Sequence, residues 1–270
     1  MKSRRGLMFW IFWLSGCLVL TFISLPLLAL LLRPTLGQLR DAAMHAGIRD
    51  SFLLSLEGAA LATSLSMLFG LPLAYVLARQ RFRGKAVVEA MVDLPLTIPH
   101  TIAGIALLLV FSRNGWLGPA AASIGLTFWG TFAGVVLAMA YVGLPYAVNA
   151  ARVGFEAVDL RIEKAARSLG AGPWATFYRV SMPLAWRGVM TGLTLCFARA
   201  IGEFAAVVLL AYYPMTAPVK IYDLFLQVGL NESVAASVLF LVIVLGLFWA
   251  LRLLAYGRHS DRRVEPAAAR

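Results

Sequence analysis

Long unbroken apolar runs, separated by short polar connectors, make up most of this chain. A helix needs about 20 apolar residues to cross a hydrocarbon core of about 30 Å. Six stretches qualify: residues 7–32, 52–78, 94–111, 124–148, 188–210 and 234–254. The runs are continuous rather than alternating, which argues for helices over barrel strands. The predicted fold class is therefore an all-α integral membrane protein with six transmembrane helices. The first run follows Lys2, Arg4 and Arg5 in the manner of a signal peptide. It is longer than the roughly 7–15 residues of a cleavable apolar region, so it reads as an uncleaved anchor.

Two interruptions carry information. In Asp93-Leu-Pro-Leu-Thr-Ile-Pro-His100, prolines stand four apart at Pro95 and Pro99. The first turns of the third run therefore cannot form a regular hydrogen-bonded ladder. Irregular backbone at membrane depth is tolerated where it is buried or lines a water-filled path. The alternative is a helix that enters the membrane with a proline in its first turn. The second interruption is the polar, small-residue segment 159–183. It reads as a helix closed by Gly170, a turn through Gly172-Pro173, and a second short helix ending near Pro183. Such an elbow is a handle for something outside the membrane.

Composition and charge orient the chain. It has 270 residues, 61% hydrophobic and 14% charged, which excludes an ordinary soluble domain. A net charge of +11 would suggest nucleic acid in a soluble protein. Here basic residues gathered on one face of a membrane explain it, and no nucleic-acid partner is expected. With the N-terminus inside, 18 of the 24 Lys and Arg fall inside, counting Arg252 at the inner end of the last run. Five fall outside, and Arg199 lies within the fifth run. That bias predicts cytoplasmic termini and a cytoplasmic elbow. Residues 1–256 read as one transmembrane domain, and the charged, Ala-rich tail 257–270 as disordered.

The chain has no phosphate loop, no metalloprotease motif and no nucleophile elbow, so no catalytic residue is assigned. Cys17 and Cys196 sit in apolar runs without metal-ligand spacing, and no metal site is expected. Arg199 and Glu203 lie four apart, the spacing at which side chains on one helix face pair. Charges at membrane depth cost about 2.5–3.5 kcal/mol each on insertion scales, so they normally face protein or water. The pair reads either as a pathway cation with its counter-ion or as a structural bridge between spans. Thr97, His100 and Thr101 beside the proline pair read either as structural, packing and hydrogen-bonding the helices, or as part of the candidate translocation path. The aromatics of the 211–233 loop read as an interfacial belt or as a surface for an external partner.

The elbow resembles the cytoplasmic motif of membrane subunits of ATP-binding-cassette (ABC) importers, E-A-A-x-x-x-G followed about a dozen residues later by L-P. Ala165, Ala166, Gly170 and Pro183 occupy its positions, with Leu169, Ala171 and Pro173 around them. Lys164 stands where the motif has Glu, with Glu163 one residue earlier, and Met182 replaces the Leu. From the second run onward the chain is similar to the sulfate/molybdate/tungstate branch. The likeness rests on residues 94–101, 144–148, 154–158 and 199–204, and Ala211–Tyr222 is most similar to molybdate/tungstate permeases. The resemblance implies an ABC-importer permease (MetI-like) architecture in a prokaryotic plasma membrane. It also implies a homodimer enclosing one path, two separate cytoplasmic ATPase subunits, and an external solute-binding protein. Glu163, Lys164, Ala165, Ala166, Arg167, Gly170, Ala171, Pro173 and Pro183 would then form the ATPase-coupling surface. No cofactor is expected in this chain, with Mg-ATP held by the partner ATPase. Sulfate or thiosulfate is the alternative cargo. An ion-coupled secondary transporter is a more distant alternative, against which stands the lack of internal repeats.

Overall fold

The computed structural model describes residues 2–256, with backbone alone for 2–7 and 254–256. The tail expected at 257–270 lies outside the described residues. Among those residues every regular element is a helix. In chain order they are α1 (Lys2–Leu32), α2 (Leu36–Met44), α3 (Ala46–Arg79), α4 (Lys85–Thr97), α5 (His100–Phe111), α6 (Gly118–Ser123), α7 (Phe132–Glu156), α8 (Leu160–Ser168) and α9 (Pro173–Thr176). A π-helical turn at Phe177–Ser181 follows, then α10 (Met182–Ile201), α11 (Ala205–Leu210), α12 (Ala217–Gln227) and α13 (Leu230–Tyr256).

The chain parts into two compact units. One holds the residues up to Arg49 together with Ile221–Val242; the other holds Asp50–Lys220 and the chain from Ile243. In the first unit, α1 is apolar all round, and none of its described residues is buried. A helix apolar on every side and uncovered by its own chain is suited to lipid or to another membrane segment. The start of α2 is fixed by a capping box, in which Thr35 and Gln38 exchange backbone and side-chain hydrogen bonds.

The second unit is built on α7, whose Val135, Met139, Val142, Val148, Ala151 and Phe155 are buried. Its main neighbour is α10, and the two backbones meet at Gly154 and Gly188. A Cβ on Gly188 would lie 2.4 Å from the Gly154 Cα. Lipid gives no hydrophobic drive between helices, so close backbone approach at small residues supplies the packing energy. Tyr75 packs edge to face on Phe155 and Phe177, with centroids 5.2 and 4.9 Å away, and the two Phe rings lie tilted at 5.9 Å.

Four helices, α1, α3, α7 and α13, are long and apolar enough to cross a membrane; α4 and α5 make a fifth if the bent pair is one span. Three predicted spans and one predicted helix end need correction. Residues 94–111 are not one helix, because α4 and α5 meet at a 113° bend. Ile98 is extended (φ −84°, ψ 144°), as the residue before a proline prefers, and Pro99 caps α5 with no N–H to satisfy. The fourth run begins at Phe132 rather than 124. Residues 124–131 form a loop held by the Gly130 N–H on the Leu210 carbonyl, and Thr131 caps α7 by accepting from the Gly134 N–H. The fifth run, 188–210, breaks after Ile201 and restarts at Ala205. Finally, the helix after the elbow does not end near Pro183. It continues through the π turn, whose closing Met182 N–H bonds back to Phe177 and so makes room for a proline that donates nothing.

Candidate functional site

The elbow starts where Asp159 caps α8, its carboxylate accepting from the Arg161 N–H at 2.8 Å. It ends in a reversal in which Gly170 has φ +90°, a conformation that side chains other than glycine's resist. The Ala171 N–H reaches the Ala166 carbonyl at 3.0 Å and the Gly170 N–H the Arg167 carbonyl at 3.0 Å, which satisfies the helix end. Gly172 and Pro173 then start α9, as expected.

Of the predicted coupling residues, Lys164, Ala165, Arg167, Gly170, Pro173 and Pro183 are exposed, and Ala166 and Ala171 are half-buried. Glu163 differs from all of them. It is 3% exposed and faces inward, where one carboxylate oxygen takes three donors. Arg79 Nη2 lies at 2.7 Å, Arg79 Nε at 2.9 Å and Ser181 Oγ at 2.8 Å from Oε1. Between its exposed cations the elbow's outer surface also carries apolar side chains. Leu160, Ile162, Leu169, Trp174 and Tyr178 are all exposed, and the Trp174 and Tyr178 rings stack at 6.0 Å. Sequence reasoning missed Arg79 and Ser181 as partners of Glu163. It also passed over the Trp174/Tyr178 pair, which its four-residue spacing on a helical segment announces.

The second candidate site lies at the α4–α5 corner and the α10–α11 break. Arg199 Nη2 donates to Glu203 Oε2 at 2.7 Å. It also lies 2.8 Å from His100 Nε2 and 3.1 Å from His100 Nδ1, and a neutral imidazole accepts from it through whichever nitrogen lacks hydrogen. Glu203 is almost fully buried, and its other oxygen accepts from the Ala206 N–H at 2.8 Å. The predicted Arg199–Glu203 pair therefore forms, but not along one helix face. Gly202 closes α10 between them, and the Glu203 carboxylate spans the break to cap α11.

Arg199 Nε and Nη1 have no acceptor among the described residues, whereas Nη2, which both bidentate edges of the guanidinium share, is engaged by Glu203 and His100. His100 joins the cluster, while Thr97 and Thr101 do not. Both threonines are exposed at the same corner, and the Thr97 hydroxyl donates to the Leu94 carbonyl at 3.0 Å. The corner is anchored to α7 by polar contacts absent from the sequence prediction. Asn149 donates to Asp93 at 2.7 Å, and Arg152 bridges Glu89 at 2.8 Å and Glu156 at 2.9 Å.

Residues 66–265 match the family model described as binding-protein-dependent transport system inner membrane component. The chain is 37% identical over 256 residues to the molybdate/tungstate transport system permease protein WtpB of Thermococcus kodakarensis, covering 92% of this chain and 96% of that protein. It is 35% identical over 237 residues to a probable sulfate transport system permease protein of Chlorokybus atmophyticus, covering 85% and 82% respectively. Among solved structures, a bacterial ABC transporter involved in alginate import superposes with a TM-score of 0.72 at 17% identity, over 95% of this chain and 97% of that one. That similarity shows the fold.

Proposed function

The chain belongs to the family of binding-protein-dependent transport system inner membrane components, and from that premise we propose that it forms the translocation path for molybdate or tungstate in an ATP-driven importer. The observation that carries the choice of anion is the 37% identity, over nearly the whole chain, to a permease named for those two ions. The lower identity to a sulfate permease leaves sulfate as the second reading. In this proposal α10 with α11 and the bent α4–α5 pair complete six crossings, with both termini in the cytoplasm. Two copies of the chain enclose one path. An external binding protein delivers the anion, and two ATPase subunits holding Mg-ATP dock below.

The elbow supports the docking. Lys164 and Arg167 with Leu169, Trp174 and Tyr178 offer an apolar surface rimmed by cations, suited to a groove on a soluble partner. The Arg199 cluster supports an anion path. A tetrahedral dianion needs donors, yet must not be held in a path it has to leave. Arg199 Nε and Nη1 supply donors, while Glu203 offsets the charge that would otherwise trap the anion. Thr97 and Thr101 extend a line of hydroxyls along the same corner. The test is reconstitution of the chain with its ATPase and binding protein in liposomes. ATP-dependent uptake of labelled molybdate and tungstate, poorly competed by sulfate, is the expected result. Preferential uptake of sulfate would transfer the assignment to the second reading.

A further inference from the structure

The elbow helix α8 is held to its own chain in an unusual way. Of its residues, Glu163 alone is buried, and the apolar Leu160 and Ile162 face outward. No hydrophobic seat fixes this helix. What fixes it, besides the backbone at either end, is the single oxygen Oε1 of Glu163. Two of its donors come from Arg79, the last residue of the 34-residue α3, and the third from Ser181 in the π turn. Arg79 Nη2 also donates to the Val158 carbonyl at 3.2 Å, just before α8, and its guanidinium lies 6.0 Å from the Tyr75 ring.

We propose that the Arg79–Glu163–Ser181 junction is the mechanical link through which displacement of α8 reaches α3 and α10 together. Arg79 and Glu163 are thus positioning residues for transport rather than contacts to a partner or to the anion. Stability alone is a poor reason for such a junction. Desolvating a buried ion pair offsets most of its Coulombic gain, and apolar residues of similar volume often do as well or better. Three directional bonds converging on one oxygen fix that point of α8 relative to both α3 and the π turn. The π turn that carries Ser181 is continuous with α10, whose far end holds Arg199. A shift of the elbow is therefore delivered along one helix to the candidate anion site. Coupling of this kind needs a contiguous physical network, and here each joint is a hydrogen bond or a continuous helix.

This inference rests on the reading of the chain as an importer permease, and the experiment separates the two. Wild type, Glu163→Gln, Arg79→Gln and the double variant are each assembled with the ATPase and binding protein in liposomes. ATP hydrolysis and uptake of labelled molybdate are measured on the same samples. Ser181→Ala, which cuts only the arm to α10, serves as the milder variant should the charge variants fold poorly. The expected result is normal co-purification of the ATPase and continued hydrolysis. ATP consumed per anion rises about fivefold or more, the low end of typical site-to-site coupling. The double variant is no worse than the worse single, as for two residues acting through one contact. Ser181→Ala shows a smaller rise. Hydrolysis and uptake falling in proportion would assign the junction a purely structural role and overturn the proposal, as would loss of ATPase co-purification. A wild-type assembly that hydrolyses ATP but moves no molybdate would overturn the importer reading itself, and the inference with it.

Discussion

Gly188 on α10 lies against Gly154 on α7 so closely that a Cβ on Gly188 would fall 2.4 Å from the Gly154 Cα and 2.9 Å from its N. The obstructing atoms are backbone, so no rotamer change can relieve the clash. Gly188→Ala is predicted to push α7 and α10 apart, costing about 1–3 kcal/mol as overpacking does. Gly16→Ala and Gly246→Ala, where a Cβ meets nothing within 4 Å, should leave stability unchanged. Thermal unfolding of the purified variants in detergent, followed by loss of the monodisperse peak, tests this. Equal melting temperatures for all three would show that the two helices are not locked at this contact.

Arg199 and Glu203 permit a prediction that separates folding from transport. Arg199→Met leaves a buried carboxylate without its cation, a loss of about 3–5 kcal/mol for buried pairs, and should lower the yield of folded protein. Arg199→Lys keeps a charge for Glu203 but gives up the Nε and Nη1 donors, which no group among the described residues engages. Its stability should stay close to wild type while anion uptake falls about tenfold, the equivalent of one charge-assisted hydrogen bond. Uptake by Arg199→Lys at the wild-type rate would remove these donors from the anion path.

Leu169 is 89% exposed and so contributes little to the fold of its own chain. Leu169→Asp is therefore predicted to leave melting within about 0.5 kcal/mol, as for ordinary surface substitutions. If the elbow seats in an ATPase groove, the same change should weaken that complex by about 2 kcal/mol, roughly thirtyfold. Trp174→Ala should act in the same direction through loss of the stacked pair with Tyr178. Binding of the purified ATPase to immobilised variants decides the matter, and undiminished affinity in both would move the docking surface elsewhere.

These contrasts trace what a sequence can and cannot reveal. The spans around α3 and α13 were legible because their apolar runs are long and free of clustered breakers. The break after Ile201 was not. Gly202 and Glu203 interrupt a run whose mean apolarity stays high, and the break is stabilised by a carboxylate that caps the following helix. Spacing announced Arg199 with Glu203, but His100 is 99 residues away from Arg199, and only packing of α5 against α11 brings it in. Glu163 shows the same limit. Its neighbours in sequence place it on the elbow, while its partner Arg79, 84 residues upstream, turns it inward. The two prolines foretold an irregular third span without saying which would bend it. Pro95 is accommodated inside α4, and the bend falls at Ile98-Pro99, where the chain is already extended.

Sidedness gives the last prediction. Six crossings with both termini inside require the elbow and the α5–α7 connection to face opposite sides of the membrane. A single cysteine can report each, provided the native thiols stay silent. Cys196 is fully buried beside Gly143 and should not react, whereas Cys17 on α1 is half-buried and is best replaced by Ser. In that background Lys164→Cys should react with a membrane-impermeant maleimide only in inside-out vesicles. Arg113→Cys, exposed in the loop after α5 with its guanidinium 5.5 Å from the Trp129 ring, should react only from the opposite face. Both sites are exposed, so a failure to label reports sidedness rather than burial. Labelling of the two positions from the same side would mean that α7 does not cross as proposed. Reaction of Lys164→Cys from the outer face would leave the elbow no route to a cytoplasmic ATPase.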